Sequence, residues 1–87
     1  GAPDAEAMQA LSHAVDVLGE IRRQKSIEKR PLKAQIDVAR LAWRGDAIAL
    51  LRGVESDLRP AAGVSRFDYV EHSGDLDLSL TFAEEPA

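Results

Sequence analysis

The residues most able to do chemistry in this chain are six basic side chains packed into twelve positions. Residues 22–33 read RRQKSIEKRPLK and contain a single acid, Glu28, although the whole chain has a net charge of -4. A cationic cluster in an otherwise acidic chain favours a surface that binds a polyanion through its phosphates, in a salt-dependent way that reads little sequence. A solvated helix end is the alternative interpretation. The candidate contact residues are Arg22, Arg23, Lys25, Lys29, Arg30 and Lys33.

Catalytic and metal-binding constellations are largely excluded by the residue types present. The chain has no cysteine, and its two histidines, His13 and His72, fall on a predicted helix surface and beside a predicted turn. Asp75 and Asp77 offer too few oxygen ligands for a metal, and the glycines are too dispersed to form a phosphate-binding loop. We therefore expect no catalytic residue, no metal site and no cofactor in this chain.

Aromatic side chains could stack on bases, but their surroundings favour packing. Trp43 is the only tryptophan, and we expect it to close the sheet against a helix. Phe67 and Tyr69 lie among acids such as Asp68, which would repel phosphate, so these rings are also interpreted as packing residues.

Length and composition indicate one small domain, residues 1–87. The sequence is 45% hydrophobic and 30% charged, a balance typical of a globular protein with a thin core. No apolar run is long enough for a membrane span, and no signal-peptide pattern opens the chain, so a soluble cytoplasmic protein is expected.

The first half of the chain must carry the basic segment, residues 22–33, on a helix and the loop after it. Apolar residues at helical spacing predict a helix over 4–26 whose core-facing stripe is Met8, Leu11, Val15, Leu18 and Ile21. Pro31 prevents simple continuation, so residues 27–33 are predicted to form a basic loop.

The second half predicts a sheet and a further helix. We expect a strand over 35–43, a helix over 46–59 that Pro60 stops, and a hairpin over 64–83. The order α-β-α-β-β predicts an α+β fold with a small mixed sheet in the order 1-3-2 and both helices on one face. Alternation is cleanest in the last strand, so Leu80 is expected at the centre of the sheet.

Three segments, in the same order as these elements, resemble one enzyme family. Residues 17–26, VLGEIRRQKS, resemble the helix that closes the anticodon-binding domain of the class I aminoacyl-tRNA synthetases for valine, isoleucine and leucine. Residues 57–64, DLRPAAGV, and 76–83, LDLSLTFA, are similar to segments near the C-terminus of valyl-tRNA synthetases. From the first segment to the last, the resemblance extends over about residues 15–83. Lys25, Lys29 and the stretch that begins Asp57-Leu58-Arg59 favour the valyl family over the isoleucyl one.

The resemblance implies a C-terminal, tRNA-binding part of a valine–tRNA ligase. The intact enzyme would use ATP and magnesium on parts absent here, since the catalytic signature motifs are missing. Its partners would be tRNA, specifically tRNA-Val, and the rest of the synthetase, with no membrane or DNA involved. RNA contact carries over only to the six basic residues of the segment 22–33. A protein-interaction module and a purely structural packing module remain the alternatives.

Overall fold

The computed structural model describes residues 3–83, which form three helices and three strands. The elements are α1 (Pro3–Ile27), β1 (Ile36–Trp43), α2 (Gly45–Gly53), α3 (Glu55–Ala62), β2 (Val64–Glu71) and β3 (Asp77–Phe82). The α+β class and the small mixed sheet are therefore confirmed. Within the described residues, no helix is both long and apolar enough to cross a lipid bilayer.

The predicted helix over 46–59 is wrong in one respect, because the structure contains two helices there. Val54, with φ -118° and ψ 11°, leaves the helical region and separates α2 from α3. Gly53, a weak helix former, directly precedes the break. Pro60 also fails to stop the helix, since α3 continues to Ala62 and ends at Gly63 in the left-handed conformation (φ 67°).

The strand order also differs from the prediction. The observed order is β2-β1-β3, with β1 central, parallel to β2 and antiparallel to β3. The predicted order 1-3-2 is wrong, and so is the hairpin over 64–83, because β2 and β3 do not pair. Residues 72–76 instead cross the end of β1, where the His72 N–H donates to the Trp43 carbonyl oxygen at 2.8 Å.

Apolar residues on both faces of β1 explain its central position. Ile36, Ala39 and Leu41 are buried in the core on one face, while Val38 and Ala42 on the other are half-buried. A strand with apolar side chains on both faces belongs inside a sheet, whereas strict apolar–polar alternation suits a strand that is partly exposed. β3 shows that alternation, and it lies at an edge.

The centre of the core is correspondingly displaced from β3. Leu78 is the buried residue of this strand, and Leu80 is only half-buried opposite Ala39. The expectation that Leu80 is central is therefore wrong, although its inward-facing phase is correct. The placement of the helices on one face of the sheet stays a prediction.

The buried face of α1 is rotated from the predicted stripe. Ala10, Ala14, Val17 and Ile21 face the core, and α1 packs against α2. Alanine side chains on this buried face let neighbouring elements approach α1 closely. The larger predicted core residues Met8, Leu11 and Val15 are instead exposed.

Candidate functional site

The basic segment lies where α1 ends and the chain turns back towards the sheet. The Lys29 N–H donates to the Ser26 carbonyl oxygen at 3.1 Å, and the Arg30 N–H donates to that of Lys25 at 2.8 Å. This bond pattern is the Schellman motif, which ends a helix with one left-handed residue. Lys29 occupies that position with φ 57°, and Pro31 follows.

A lysine in the left-handed conformation is unusual. Glycine is the ordinary residue there because a Cβ makes this conformation unfavourable by about 1–2 kcal/mol. Gly63 fills the equivalent position after α3. The fold alone therefore favours glycine at position 29, and the lysine brings a cation to the turn at a cost in stability.

The predicted contact residues differ in how their charges are neutralised. Arg23 donates two hydrogen bonds to Glu20, at 2.9 and 2.6 Å. These bonds lower the pKa of Glu20 and raise that of Arg23. The Arg30 guanidinium stacks over the Phe82 ring, 4.1 Å from its centroid, and lies 3.9 Å from Glu28.

Three other cations are exposed and lack such partners. Within residues 3–83, Arg22, Lys29 and Lys33 have no carboxylate at ion-pair distance. They are therefore the cations of the segment most available to an external anion.

Lys25 departs most from its predicted role. A candidate contact residue must reach solvent, but Lys25 is only 4% exposed. Its ammonium donates to the Leu32 carbonyl oxygen at 2.6 Å, which ties the basic loop to α1. Desolvation, with a smaller contribution from the charge of Arg22, lowers the pKa of Lys25. Lys25 can thus position the loop more readily than it can contact a ligand.

A cleft of about 250 Å³ adjoins the segment between the ends of α1 and α3. Arg22, Lys25 and Lys33 lie on its α1 and loop side, and residues 60–63 form the opposite wall. The structure thus brings three of the six predicted residues to one cleft. The sequence analysis did not identify residues 60–63 as part of this cleft. The sequence of residues 60–63 predicts only the end of a helix, whereas their place in the cleft depends on how α3 packs.

Trp43, Phe67, Tyr69 and His13 all lie in packed surroundings. Trp43 and Phe67 are buried, as expected of packing residues. Tyr69 is half-buried, and its hydroxyl donates to Glu55 at 2.7 Å. His13 is not a simple surface residue, because it is half-buried with its ring edge-on to Trp43 at 4.8 Å.

Among the residues that the structure describes, acidic and histidine side chains do not cluster as a metal site requires. No group of three or more His, Asp or Glu side chains in residues 3–83 is arranged to hold a metal ion.

Comparison with known proteins identifies no relative. No protein-family model matches this chain, and no curated protein or solved structure is significantly similar to it.

Proposed function

We propose that this chain is a tRNA-binding domain of a cytoplasmic valine–tRNA ligase and that it positions tRNA-Val without contributing a catalytic group. The three sequence segments that resemble the C-terminal region of valyl-tRNA synthetases motivate the choice of enzyme. The RNA-binding role is supported by the charge and geometry of the basic segment.

The single observation that carries the proposal is the exposed set Arg22, Lys29 and Lys33. Cations without a carboxylate partner can exchange their counterions for phosphates, and this exchange is the main source of affinity for nucleic acid. Lys29 strengthens the inference because its backbone conformation favours glycine, so the ammonium is present despite the local strain.

The other basic residues have supporting roles in this proposal. Lys25 holds the loop through the Leu32 carbonyl, which limits the freedom of Lys29 and Lys33. Arg23 and Arg30 remain exposed but are engaged with Glu20 and Phe82. Contacts of this type orient an RNA backbone and carry little sequence information, so choice of tRNA belongs to the rest of the ligase.

The experiment is a titration of fluorescently labelled tRNA-Val with the 87-residue protein at low and moderate salt. The variant Lys29→Asn/Lys33→Gln removes two unpaired charges and keeps position 29 able to adopt its left-handed conformation. We expect weaker binding. The control Arg44→Gln/Arg52→Gln removes two charges elsewhere and should leave more of the affinity intact.

Competition with polyglutamate separates the proposal from a protein-interaction module. If polyglutamate displaces tRNA at comparable charge concentration, the basic segment recognises acidic protein equally well and the RNA-specific proposal fails. Equal affinities of the two charge variants would also contradict it. We expect no aminoacylation by the chain alone, because the proposal assigns it no catalytic group.

A further inference from the structure

The cleft between the ends of α1 and α3 has a cationic lining without an acid. Among the described residues that line it, Arg22, Lys25 and Lys33 carry charge, and none is an aspartate or a glutamate. The chain as a whole has a net charge of -4, so this local excess of positive charge is a property of the cleft. Such a concave cationic surface concentrates anions. The lining therefore favours a negatively charged ligand.

Lys25 is a buried cation without an opposite charge beside it. Within residues 3–83 its ammonium donates to the Leu32 carbonyl oxygen but has no carboxylate at ion-pair distance. Buried ammonium groups are ordinarily paired with an opposite charge, because desolvation disfavours the charged form. Burial, and to a smaller extent the positive charge of Arg22, lowers the pKa of Lys25. An anion in the cleft would offset both effects.

The net charge of the cleft distinguishes between kinds of anion. Its three cations contribute +3, and the C-terminal ends of α1 and α3 contribute roughly -0.5 each, which leaves about +2. A phosphate monoester carries about -1.5 to -2 at neutral pH. A phosphodiester of a nucleic-acid backbone carries about -1. The monoester therefore matches the charge of the cleft more closely.

The size and chemistry of the cleft suit a single phosphate group. Its volume of about 250 Å³ is below the roughly 300–1,000 Å³ of sites for drug-sized ligands. The guanidinium of Arg22 can donate to two phosphate oxygens at once, and the ammonium of Lys33 adds a compact charge. Both side chains are exposed, so they can reach a ligand that enters from solvent.

We propose that this cleft binds a phosphate monoester, either the terminal phosphate of an RNA or a small free phosphate ester. Arg22 and Lys33 contact the phosphate oxygens, while Lys25 supplies charge and holds the loop through the Leu32 carbonyl. The cleft shares Arg22 and Lys33 with the proposed tRNA surface. It does not depend on tRNA binding, because Lys29, the third cation of that surface, is not among the lining residues.

The test is an NMR titration of the ¹⁵N-labelled 87-residue protein with methyl phosphate, and with dimethyl phosphate as the singly charged diester. Both titrations are run at constant ionic strength and about pH 7.5, above the second pKa of a monoester at about 6. We expect methyl phosphate to shift the amide signals of residues 32–35 and 61–63 saturably and to bind about tenfold more tightly, because it carries nearly twice the charge. Equal affinities for the two compounds, or no saturable shift with methyl phosphate, overturn the proposal.

Two exposed cations allow a variant that spares the fold. Arg22→Gln/Lys33→Gln should abolish the saturable shifts, whereas Lys25→Met also loses the bond to Leu32 and is less informative. Lys29→Asn is the matched control, because it removes a cation of the same segment outside the lining and should leave methyl phosphate binding unchanged. Amide signals of the sheet report whether each variant is folded. Unchanged binding of methyl phosphate by Arg22→Gln/Lys33→Gln overturns the proposal.

The source of the phosphate is tested with tRNA-Val labelled at its 3′ end, with and without its 5′-terminal phosphate. If the cleft takes an RNA end, loss of that phosphate weakens tRNA binding; if it takes a free ester, the two tRNAs bind alike. The phosphate site and the tRNA surface can also fail separately. Loss of methyl phosphate binding with tRNA binding retained refutes the phosphate site alone. Methyl phosphate binding without tRNA binding refutes the tRNA surface alone.

Discussion

Replacing Lys29 with glycine should raise stability and lower tRNA affinity together. The residue has φ 57°, where an L side chain is unfavourable by about 1–2 kcal/mol. Glycine removes that strain but loses more backbone entropy on folding, which offsets roughly 0.5–1 kcal/mol. The difference lies between about 0 and 1.5 kcal/mol, and its midpoint of about 0.75 kcal/mol corresponds to a rise of about 3–6 °C in Tm for a domain of this size. The same change deletes one unpaired cation.

Thermal unfolding followed by circular dichroism measures the first effect, and titration of labelled tRNA measures the second. Gly63→Ala is the matched reverse control, because Gly63 has φ 67° and an added Cβ would meet only ordinary contacts, the nearest at 3.6 Å. We expect it to destabilise the fold by about 1 kcal/mol. A Lys29→Gly protein that gains stability but binds tRNA unchanged refutes the role given to the Lys29 ammonium. One that gains no stability refutes the strain argument.

Two further predictions concern the sheet and its only tyrosine. Leu41→Ala should lower the free energy of unfolding by about 2–5 kcal/mol, because Leu41 is fully buried on the central strand. Leu80→Ala should lower it clearly less, because Leu80 is half-buried on an edge strand. Urea unfolding that ranks these variants in the opposite order contradicts the strand order. Burial, and to a smaller extent the hydrogen bond to Glu55, raises the pKa of Tyr69. Above about pH 10 the unfolded chain loses the phenol proton while the folded protein retains it. The free energy of unfolding should therefore fall as the pH rises above about 10. Near-ultraviolet absorbance should show a higher titration midpoint in the folded protein than in urea, and equal midpoints would count against burial of the phenol.

Local patterns in the sequence predicted the elements well but not their partners. The alternation around Leu78 correctly predicts a strand with one face inward, yet the same pattern fits an edge strand as well as a central one. β1 carries the stronger indication of a central strand, because Val38 and Ala42 place apolar side chains on one face and Ala39 and Leu41 place them on the other. Strand order depends on such comparisons between strands, which periodicity within one strand does not reveal.

In the candidate site too, the sequence predicted local structure but not tertiary contacts. The position of the basic segment after a helix follows from Pro31 and from the apolar spacing before it. The burial of Lys25 does not, because lysine is ordinarily exposed and the Leu32 carbonyl reaches it only after the loop has folded back. In α1, alanines and large apolar residues both recur at helical spacing. The prediction placed Leu11 and Val15 in the core, whereas the structure buries Ala14 and Val17 and leaves Leu11 and Val15 exposed.

The salt dependence of tRNA binding tests the central claim most directly. The logarithm of the binding constant should fall linearly with the logarithm of salt concentration, and each phosphate contact contributes roughly 0.7–0.9 to the slope. The variant Lys29→Asn/Lys33→Gln should therefore have a slope shallower by roughly 1.4–1.8 than that of the unmodified protein. Arg44→Gln/Arg52→Gln should retain the original slope. A slope unchanged by loss of Lys29 and Lys33 would contradict the assignment of the basic segment as the tRNA-binding surface.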